Sequence, residues 1–169
     1  AGHSAGKQKL KEVMRWILDL EIPYLTVYAL STENLSSRDN TELETLFDLY
    51  VSGLEEISQD PLIHDNKVRV QVVGRKELLP DRVQNAIKKA EEETSQYSDF
   101  LFTVCLAYGG REEIVDAVKE IAEAHASGTI ELDSIDPSTI SNRLYTADLP
   151  DPDLVIRTSG EERVSNFLL

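Results

Sequence analysis

The chain has 169 residues, 41% hydrophobic and 28% charged, and is long enough to bury a core without disulfide bonds or structural metals. Its net charge of -14 argues against broad electrostatic binding to nucleic acid or to an anionic membrane. A single cysteine excludes a disulfide framework within the chain, and the three histidines lack the spacing of metal ligands.

Hydrophobic periodicity predicts helices and strands that alternate along the whole sequence. The predicted helices cover residues 4–20, 43–60, 79–95, 111–126 and 137–145, and the predicted strands cover residues 24–30, 67–73, 100–107 and 154–156. The third strand is a near-continuous apolar run, which is typical of a parallel strand covered by helices on both faces. The sequence therefore predicts an α/β fold, a single layered domain over residues 1–169 with a mainly parallel β-sheet flanked by helices.

The sequence has no apolar run long enough to cross a bilayer and does not open on a signal peptide, which favours a cytoplasmic protein. It begins at Ala1 without a methionine and ends on the apolar run Phe167 to Leu169, whereas termini are normally polar. We expect it to be an internal part of a longer polypeptide.

A polar loop follows the last predicted strand. It carries Arg157, Arg163 and Ser165, and ligands of open α/β sheets bind at the carboxyl ends of the strands. Two guanidinium groups and a hydroxyl suit a multiply charged anion. The alternative is a solvated loop whose arginines pair with Glu161 and Glu162.

A second polar loop follows the first predicted strand and carries Ser31, Asn34 and Arg38. These side chains are able to orient a polar substrate group or to relay a proton. The alternative is a serine-type turn that leads into the next helix.

Two further positions are candidates for phosphate binding. Gly109 and Gly110 precede Arg111 and place backbone amides at a helix start, although glycines there are also ordinary turn residues. His3 lies at the start of the first helix, where it suits a phosphate contact or a simple exposed or capping role.

Four segments together resemble the cis-prenyltransferases of the undecaprenyl diphosphate synthase family, in order and spacing, over essentially the whole chain. The segments are residues 2–6 (GHSAG), 28–34 (YALSTEN), 108–114 (YGGREEI) and 153–169 (DLVIRTSGEERVSNFLL). The resemblance implies that family's fold and an enzyme that condenses isopentenyl diphosphate onto an allylic diphosphate, farnesyl or geranylgeranyl. The expected product is a long-chain polyprenyl diphosphate for lipid carrier synthesis, and Mg²⁺ is the expected cofactor.

The resemblance also implies roles for individual residues. Arg157, Arg163 and Ser165 match the residues that hold the diphosphate of isopentenyl diphosphate, and His3 matches the histidine beside the allylic diphosphate. Arg38 matches a substrate-binding arginine of the family if one residue is inserted before it.

Ser31 and Asn34 match the polar pair that positions the substrates and takes part in the proton loss after each addition, so they are the predicted catalytic residues. The family's Asp-Gly-Asn-Gly-Arg loop, which supplies the metal-binding aspartate, should precede His3, and an acidic residue should follow Leu169. Both are absent from this sequence, so no metal ligand is predicted within it, and we expect no turnover from this chain alone.

The chemistry of the product predicts an apolar tunnel. A growing hydrocarbon must be kept from water, and the apolar faces of the first three strands and of the helix from Leu43 to Leu54 are able to wall such a tunnel, although each residue also suits an ordinary core. The expected partners are the two diphosphate substrates, a second copy in a homodimer and a membrane surface contacted peripherally for product release, with no nucleic acid.

Two alternatives remain open. The first is a non-catalytic partner subunit of a cis-prenyltransferase complex, which has no physical need for His3, Ser31, Asn34 and Arg111 together. The second is a generic phosphate-binding α/β protein.

Overall fold

The computed structural model describes the backbone of residues 2–169 and the side chains of residues 6–169. Its helices are α1 (Gly2–Asp19), α2 (Thr32–Ser37), α3 (Asn40–Ile57), α4 (Pro61–Asp65), α5 (Asp81–Thr94), α6 (Gly110–Ala126) and α7 (Pro137–Ser141). Its strands are β1 (Tyr24–Tyr28), β2 (Val68–Val73) and β3 (Phe100–Cys105), and short 3-10 helices cover Lys76–Leu78 and Leu132–Ser134.

The chain divides into two compact units, Ala1–Ala107 and Tyr108–Leu169. The single domain expected from the sequence stays a prediction. The first unit contains the three strands and helices α1 to α5, and the second contains α6 and α7.

The sheet of the first unit has the order β1-β3-β2, and both strand pairs are parallel. Tyr24 of β1 lies opposite Leu101, and Val68 of β2 lies opposite Phe100. The buried core joins the sheet to side chains from α1, α3 and α5. The predicted fold class, an α/β fold with a parallel sheet flanked by helices, is confirmed.

The segments that follow the three strands are bonded to each other at the carboxyl edge of the sheet. The amides of Ala29 and Leu30 both donate to the carbonyl of Cys105, and the amide of Arg75 donates to that of Ala107. Gly74 has φ +125, and a Cβ there would lie 2.0 Å from the Leu106 carbonyl oxygen, so only glycine fits this crossing. The segment that contains Ser31 therefore begins at an edge of the sheet that these hydrogen bonds hold in place.

The predicted strand over residues 154–156 is wrong. Leu154, Val155 and Ile156 have no strand assignment, and their side chains are 74%, 51% and 76% exposed. A strand needs a neighbour to bond its backbone groups, and none of the described strands pairs with this segment. The predicted polar loop after β1 also differs, because it contains the short helix α2.

Candidate functional site

Ser31 is the N-cap of α2, immediately beyond the carboxyl end of β1. Its Oγ accepts a hydrogen bond from the amide of Asn34 at 3.0 Å, as N-cap hydroxyls do. The serine-type turn considered for this loop is therefore present, and it joins the two predicted catalytic residues. The bond from Asn34 uses a lone pair of the Ser31 oxygen and leaves the hydroxyl hydrogen able to donate to a ligand.

Arg38 ends the same helix. Its amide donates to the carbonyl of Asn34 at 3.2 Å, and its guanidinium forms an ion pair with Glu42 in the first turn of α3. Asp39 caps α3 by accepting from the amide of Glu42 at 3.1 Å. The structure thus brings Ser31, Asn34 and Arg38 together on α2 and its two caps.

Tyr50 links α3 to this edge, a connection that sequence reasoning missed because hydrophobic periodicity does not show which group a side chain bonds. Its hydroxyl donates to the carbonyl of Ala29 at 2.8 Å. Burial raises the pKa of Tyr50 to about 12, and the nearby charge of Arg38 opposes part of that shift. Tyr50 is therefore a neutral donor at physiological pH.

An apolar cavity of about 190 Å³ lies within the first unit, between α1, α3 and the sheet. Its wall includes Ala29, Tyr50, Gly53, Leu54, Phe102 and Leu106. An added Cβ at Gly53 would meet no atom within 4 Å, so the glycine enlarges this space. Parts of β1, β3 and α3 line the cavity as predicted for a tunnel, whereas β2 does not.

Lysines of α1 form one rim of the cavity. Lys7 pairs with Glu56 of α3 at 2.5 Å, and Lys11 pairs with the same carboxylate at 3.5 Å. The hydrogen bond from Lys7 keeps the pKa of Glu56 below its ordinary value. The aliphatic stems of both lysines face an apolar space while their ammonium groups are paired.

In the second unit, Arg157 donates hydrogen bonds to three groups of the predicted anion-binding loop. Its Nη1 donates to the carbonyl of Arg163 at 2.6 Å and to the Oγ of Ser165 at 2.8 Å, and its Nε donates to the Oγ of Ser159 at 3.1 Å. The guanidinium of Arg163 lies instead 3.3 Å from a carboxylate oxygen of Glu161. The structure thus brings Arg157 and Ser165 together. Arg163 instead pairs with Glu161, as the alternative of a solvated loop predicted.

The side chain of His3 lies outside the described residues, although its backbone belongs to the first turn of α1. Its predicted contact with a phosphate stays a prediction.

Two amides at the start of α6 are occupied by hydrogen bonds within the protein. The amides of Gly110 and Arg111 donate to the carbonyl oxygen and to Oδ1 of Asn166, both at 2.8 Å. Sequence reasoning gave Asn166 no role, and its place beside Ser165 in the final motif was the only signal for it.

Glu113 is a third residue that sequence reasoning missed. It is 2% exposed, its Oε2 accepts from the hydroxyl of Tyr108 at 2.5 Å, and its Oε1 accepts from the amide of Tyr145 at 2.8 Å. Glu113 lies four residues before Ala117, which is also buried, so its position on the inner face of α6 was the available signal.

Among the side chains described, residues 6–169, no group of three or more His, Cys, Asp or Glu is arranged to hold a metal ion. In the same part of the chain, no helix combines the length and the apolar character that crossing a membrane requires.

A family model described as "Putative undecaprenyl diphosphate synthase" matches residues 1–169. Two archaeal proteins named tritrans,polycis-undecaprenyl-diphosphate synthase (geranylgeranyl-diphosphate specific) are similar to this chain. The protein of Methanopyrus kandleri is 52% identical over 168 residues, which are 99% of this chain and 62% of that protein. The protein of Methanocaldococcus jannaschii is 51% identical over 99% of this chain and 60% of its own length. The chain therefore spans about 60% of these relatives.

Two solved structures are also similar. Lavandulyl diphosphate synthase of Lavandula x intermedia, solved with dimethylallyl diphosphate, has a TM-score of 0.93 and 33% identity over 99% of this chain and 72% of that chain. A probable undecaprenyl diphosphate synthase of Campylobacter jejuni has a TM-score of 0.82 and 27% identity over 95% of this chain and 73% of that chain.

Proposed function

Because this chain belongs to the undecaprenyl diphosphate synthase family, as predicted from its sequence, we propose that the protein carrying it is a cis-prenyltransferase. The enzyme condenses isopentenyl diphosphate repeatedly onto an allylic diphosphate, and each addition has cis geometry. The product is a long-chain polyprenyl diphosphate that serves as the precursor of a lipid carrier.

The proposed allylic substrate is geranylgeranyl diphosphate. This part of the proposal is supported by the names of the relatives from Methanopyrus kandleri and Methanocaldococcus jannaschii, which are 52% and 51% identical to this chain. The plant structure at 33% identity carries the name of a different synthase, so the fold by itself does not fix the product.

The observation that carries the proposal is the apolar cavity of about 190 Å³ in the first unit. An apolar cavity of roughly 150 Å³ takes up a molecule of benzene's size, so this space suits the first part of a hydrocarbon chain. It reaches Ala29, two residues before Ser31, so the apolar space begins close to the predicted catalytic residues.

The diphosphate of isopentenyl diphosphate is proposed to bind Arg157, Arg163 and Ser165. Support comes from the bond between Arg157 and Ser165, because a guanidinium next to a hydroxyl offers a charged and a neutral donor to phosphate oxygens. Arg163 is exposed and its partner Glu161 is also partly exposed, so exchanging this surface ion pair for a diphosphate costs little.

Ser31 and Asn34 are proposed to position the substrates during the proton loss that completes each addition. Ser31 is able to donate its hydroxyl hydrogen, and Asn34 offers both donors and an acceptor. Arg38 is proposed to contact substrate from the end of α2, and His3 is proposed to contact the allylic diphosphate.

Magnesium belongs to the proposal because the family resemblance implies it. The side chains of residues 6–169 include no group of three or more His, Cys, Asp or Glu that could hold the ion.

A homodimer and peripheral contact with a membrane complete the proposal. Ile114, Val115 and Val118 are exposed apolar side chains of α6, which is the kind of surface that protein interfaces cover.

The test supplies the full-length protein with labelled isopentenyl diphosphate, Mg²⁺ and one allylic diphosphate of ten, fifteen or twenty carbons at a time, and sizes the products by chromatography. We expect long-chain product, formed most efficiently from geranylgeranyl diphosphate. No incorporation from any starter, with activity restored only by another subunit of the family, would identify the protein as a non-catalytic partner subunit.

A further inference from the structure

Asn166 binds the start of α6 through three different groups. Its backbone carbonyl accepts from the amide of Gly110, and its Oδ1 accepts from the amide of Arg111, both at 2.8 Å. Its Nδ2 donates to Oε2 of Glu112 at 3.0 Å. We call these three hydrogen bonds the Asn166 clamp.

The two glycines make room for the clamp. A Cβ at Gly109 would lie 2.1 Å from Oε2 of Glu112 and 2.7 Å from Nδ2 of Asn166. A Cβ at Gly110 would lie 2.9 Å from Cγ of Leu169. A larger residue at either position would push Asn166 or Leu169 away from the start of α6. The glycine pair therefore allows these residues to pack closely against the helix.

The clamp also holds an unusual backbone. Ser165 and Asn166 have φ of 51° and 62°, in the left-handed region that residues with a Cβ seldom occupy. Such a conformation persists when surrounding contacts impose it. Because Ser165 directly precedes Asn166, the clamp fixes the hydroxyl that lies 2.8 Å from Nη1 of Arg157.

We propose that Asn166 is a positioning residue for the isopentenyl diphosphate site. Asn166 accepts hydrogen bonds from the first amides of α6. These bonds fix the position of the Ser165 hydroxyl and, through it, that of the Arg157 guanidinium. The kinetic consequence rests on the proposed function, whereas the clamp does not.

The variant Asn166→Asp tests this role with little change of shape. Aspartate tolerates the left-handed backbone and keeps the acceptor for Arg111, but it places a second carboxylate beside Glu112. Repulsion at this short distance outweighs the small attraction of a helix N-terminus for negative charge. In the double variant Asn166→Asp/Glu112→Gln, the amide of the new glutamine donates to the new aspartate and rebuilds the bond in the opposite direction.

In the full-length enzyme, we expect Asn166→Asp to raise the KM for isopentenyl diphosphate on the order of tenfold, as for a lost charged hydrogen bond. The KM for the allylic diphosphate and kcat at saturation should stay close to wild type. Glu112→Gln alone is the reference for the double variant, because its carbonyl still accepts from Asn166. The double variant should return the KM from the raised value of Asn166→Asp to that of Glu112→Gln alone.

Three outcomes would overturn the proposal: an unchanged KM in Asn166→Asp, no recovery in the double variant, or tighter substrate binding in Asn166→Ala. The last would mean that the freed amides of α6 bind the diphosphate themselves.

Amide hydrogen exchange of residues 110 and 111 supplies a readout without turnover. Protection should be present in wild type, fall in Asn166→Asp and return in the double variant. An inactive wild-type enzyme with this exchange pattern would refute the proposed function and leave the clamp standing, whereas no difference in exchange would refute the clamp.

Discussion

Arg157 donates a hydrogen bond from Nη1 to the hydroxyl of Ser165, with 2.8 Å between the two atoms, across eight positions of the sequence. The same nitrogen donates to the carbonyl of Arg163 at 2.6 Å. The guanidinium therefore supports the loop around it in addition to offering charge to a ligand.

We expect Arg157→Ala to raise the KM for isopentenyl diphosphate by the equivalent of about 1.5–3 kcal/mol, because one charged hydrogen-bonding group is lost. Steady-state kinetics with the allylic substrate at saturation measure this change. Arg143→Ala is the matched control, since Arg143 lies in the same unit and donates to the carbonyl of Thr139 at 2.8 Å. Equal KM values for the two variants would remove Arg157 from its proposed role.

Filling the cavity should shorten the product. Gly53 lines the cavity and has free space around its missing Cβ, so Gly53→Leu places a branched side chain where the hydrocarbon is proposed to lie. We expect chromatography to show shorter polyprenyl chains with an unchanged KM for isopentenyl diphosphate.

Ser52→Leu is the control for this change, because Ser52 is the neighbouring residue of α3 and is exposed. Both substitutions add a leucine to the same turn of a helix, but only Gly53 is among the residues that line the cavity. An unchanged product distribution for Gly53→Leu would mean that the hydrocarbon follows another route.

The sequence predicted the parallel sheet because its three strands are apolar segments with clear boundaries, as buried strands are. The apolar run from Phe100 was extended two residues too far, since Leu106 and Ala107 are buried but lie beyond β3, where Ala107 has φ 48. The strand predicted from Leu154 to Ile156 does not form, and the reason is the absence of a pairing strand among the described residues. Three apolar residues favour a strand only if a neighbour pairs with them, and composition does not supply that neighbour.

The site was predicted at the level of residue types and less well at the level of contacts. Ser31 and Asn34 are local neighbours, so turn chemistry was sufficient to connect them. The bond between Asn166 and the amide of Arg111 joins residues 55 positions apart. Periodicity carries no information on such a pair, and only the fold reveals it.

Thr103 offers a test of the core that is independent of activity. It lies on the central strand β3, is 1% exposed, and its buried Oγ1 has no hydrogen-bond partner among the described residues. We expect Thr103→Val to increase the free energy of unfolding by about 1 kcal/mol, because an unpaired buried hydroxyl is replaced by a methyl group of similar size.

Thr94→Val is the matched control for this change. Thr94 is also fully buried, but its Oγ1 donates to the carbonyl of Ala90 at 2.9 Å and accepts from the amide of Val70 at 3.0 Å. Its removal should lower the free energy of unfolding by about 1–3 kcal/mol. Urea denaturation compares the two variants with wild type, and a loss of stability in Thr103→Val would reveal a partner for that hydroxyl.

Tyr50 should make stability depend on pH in the alkaline range. Its pKa is raised to about 12 by burial, against about 10 for a tyrosine in an unfolded chain. Between these values the unfolded state loses the proton first, so rising pH favours unfolding. The contribution of the neutral phenol is fully present below about pH 10 and is lost as the pH rises through about 12.

The variant Tyr50→Phe isolates this effect, because the other tyrosines titrate equally in both proteins. At neutral pH it should be less stable by about 1 kcal/mol, since the hydrogen bond to the carbonyl of Ala29 is lost. Urea denaturation at intervals from pH 8 to pH 12 should show wild type losing stability more steeply above about pH 10, by up to about 2 kcal/mol relative to the variant. The two curves should therefore meet within that range. Parallel curves would mean that the hydroxyl of Tyr50 is hydrated rather than buried against the carbonyl of Ala29.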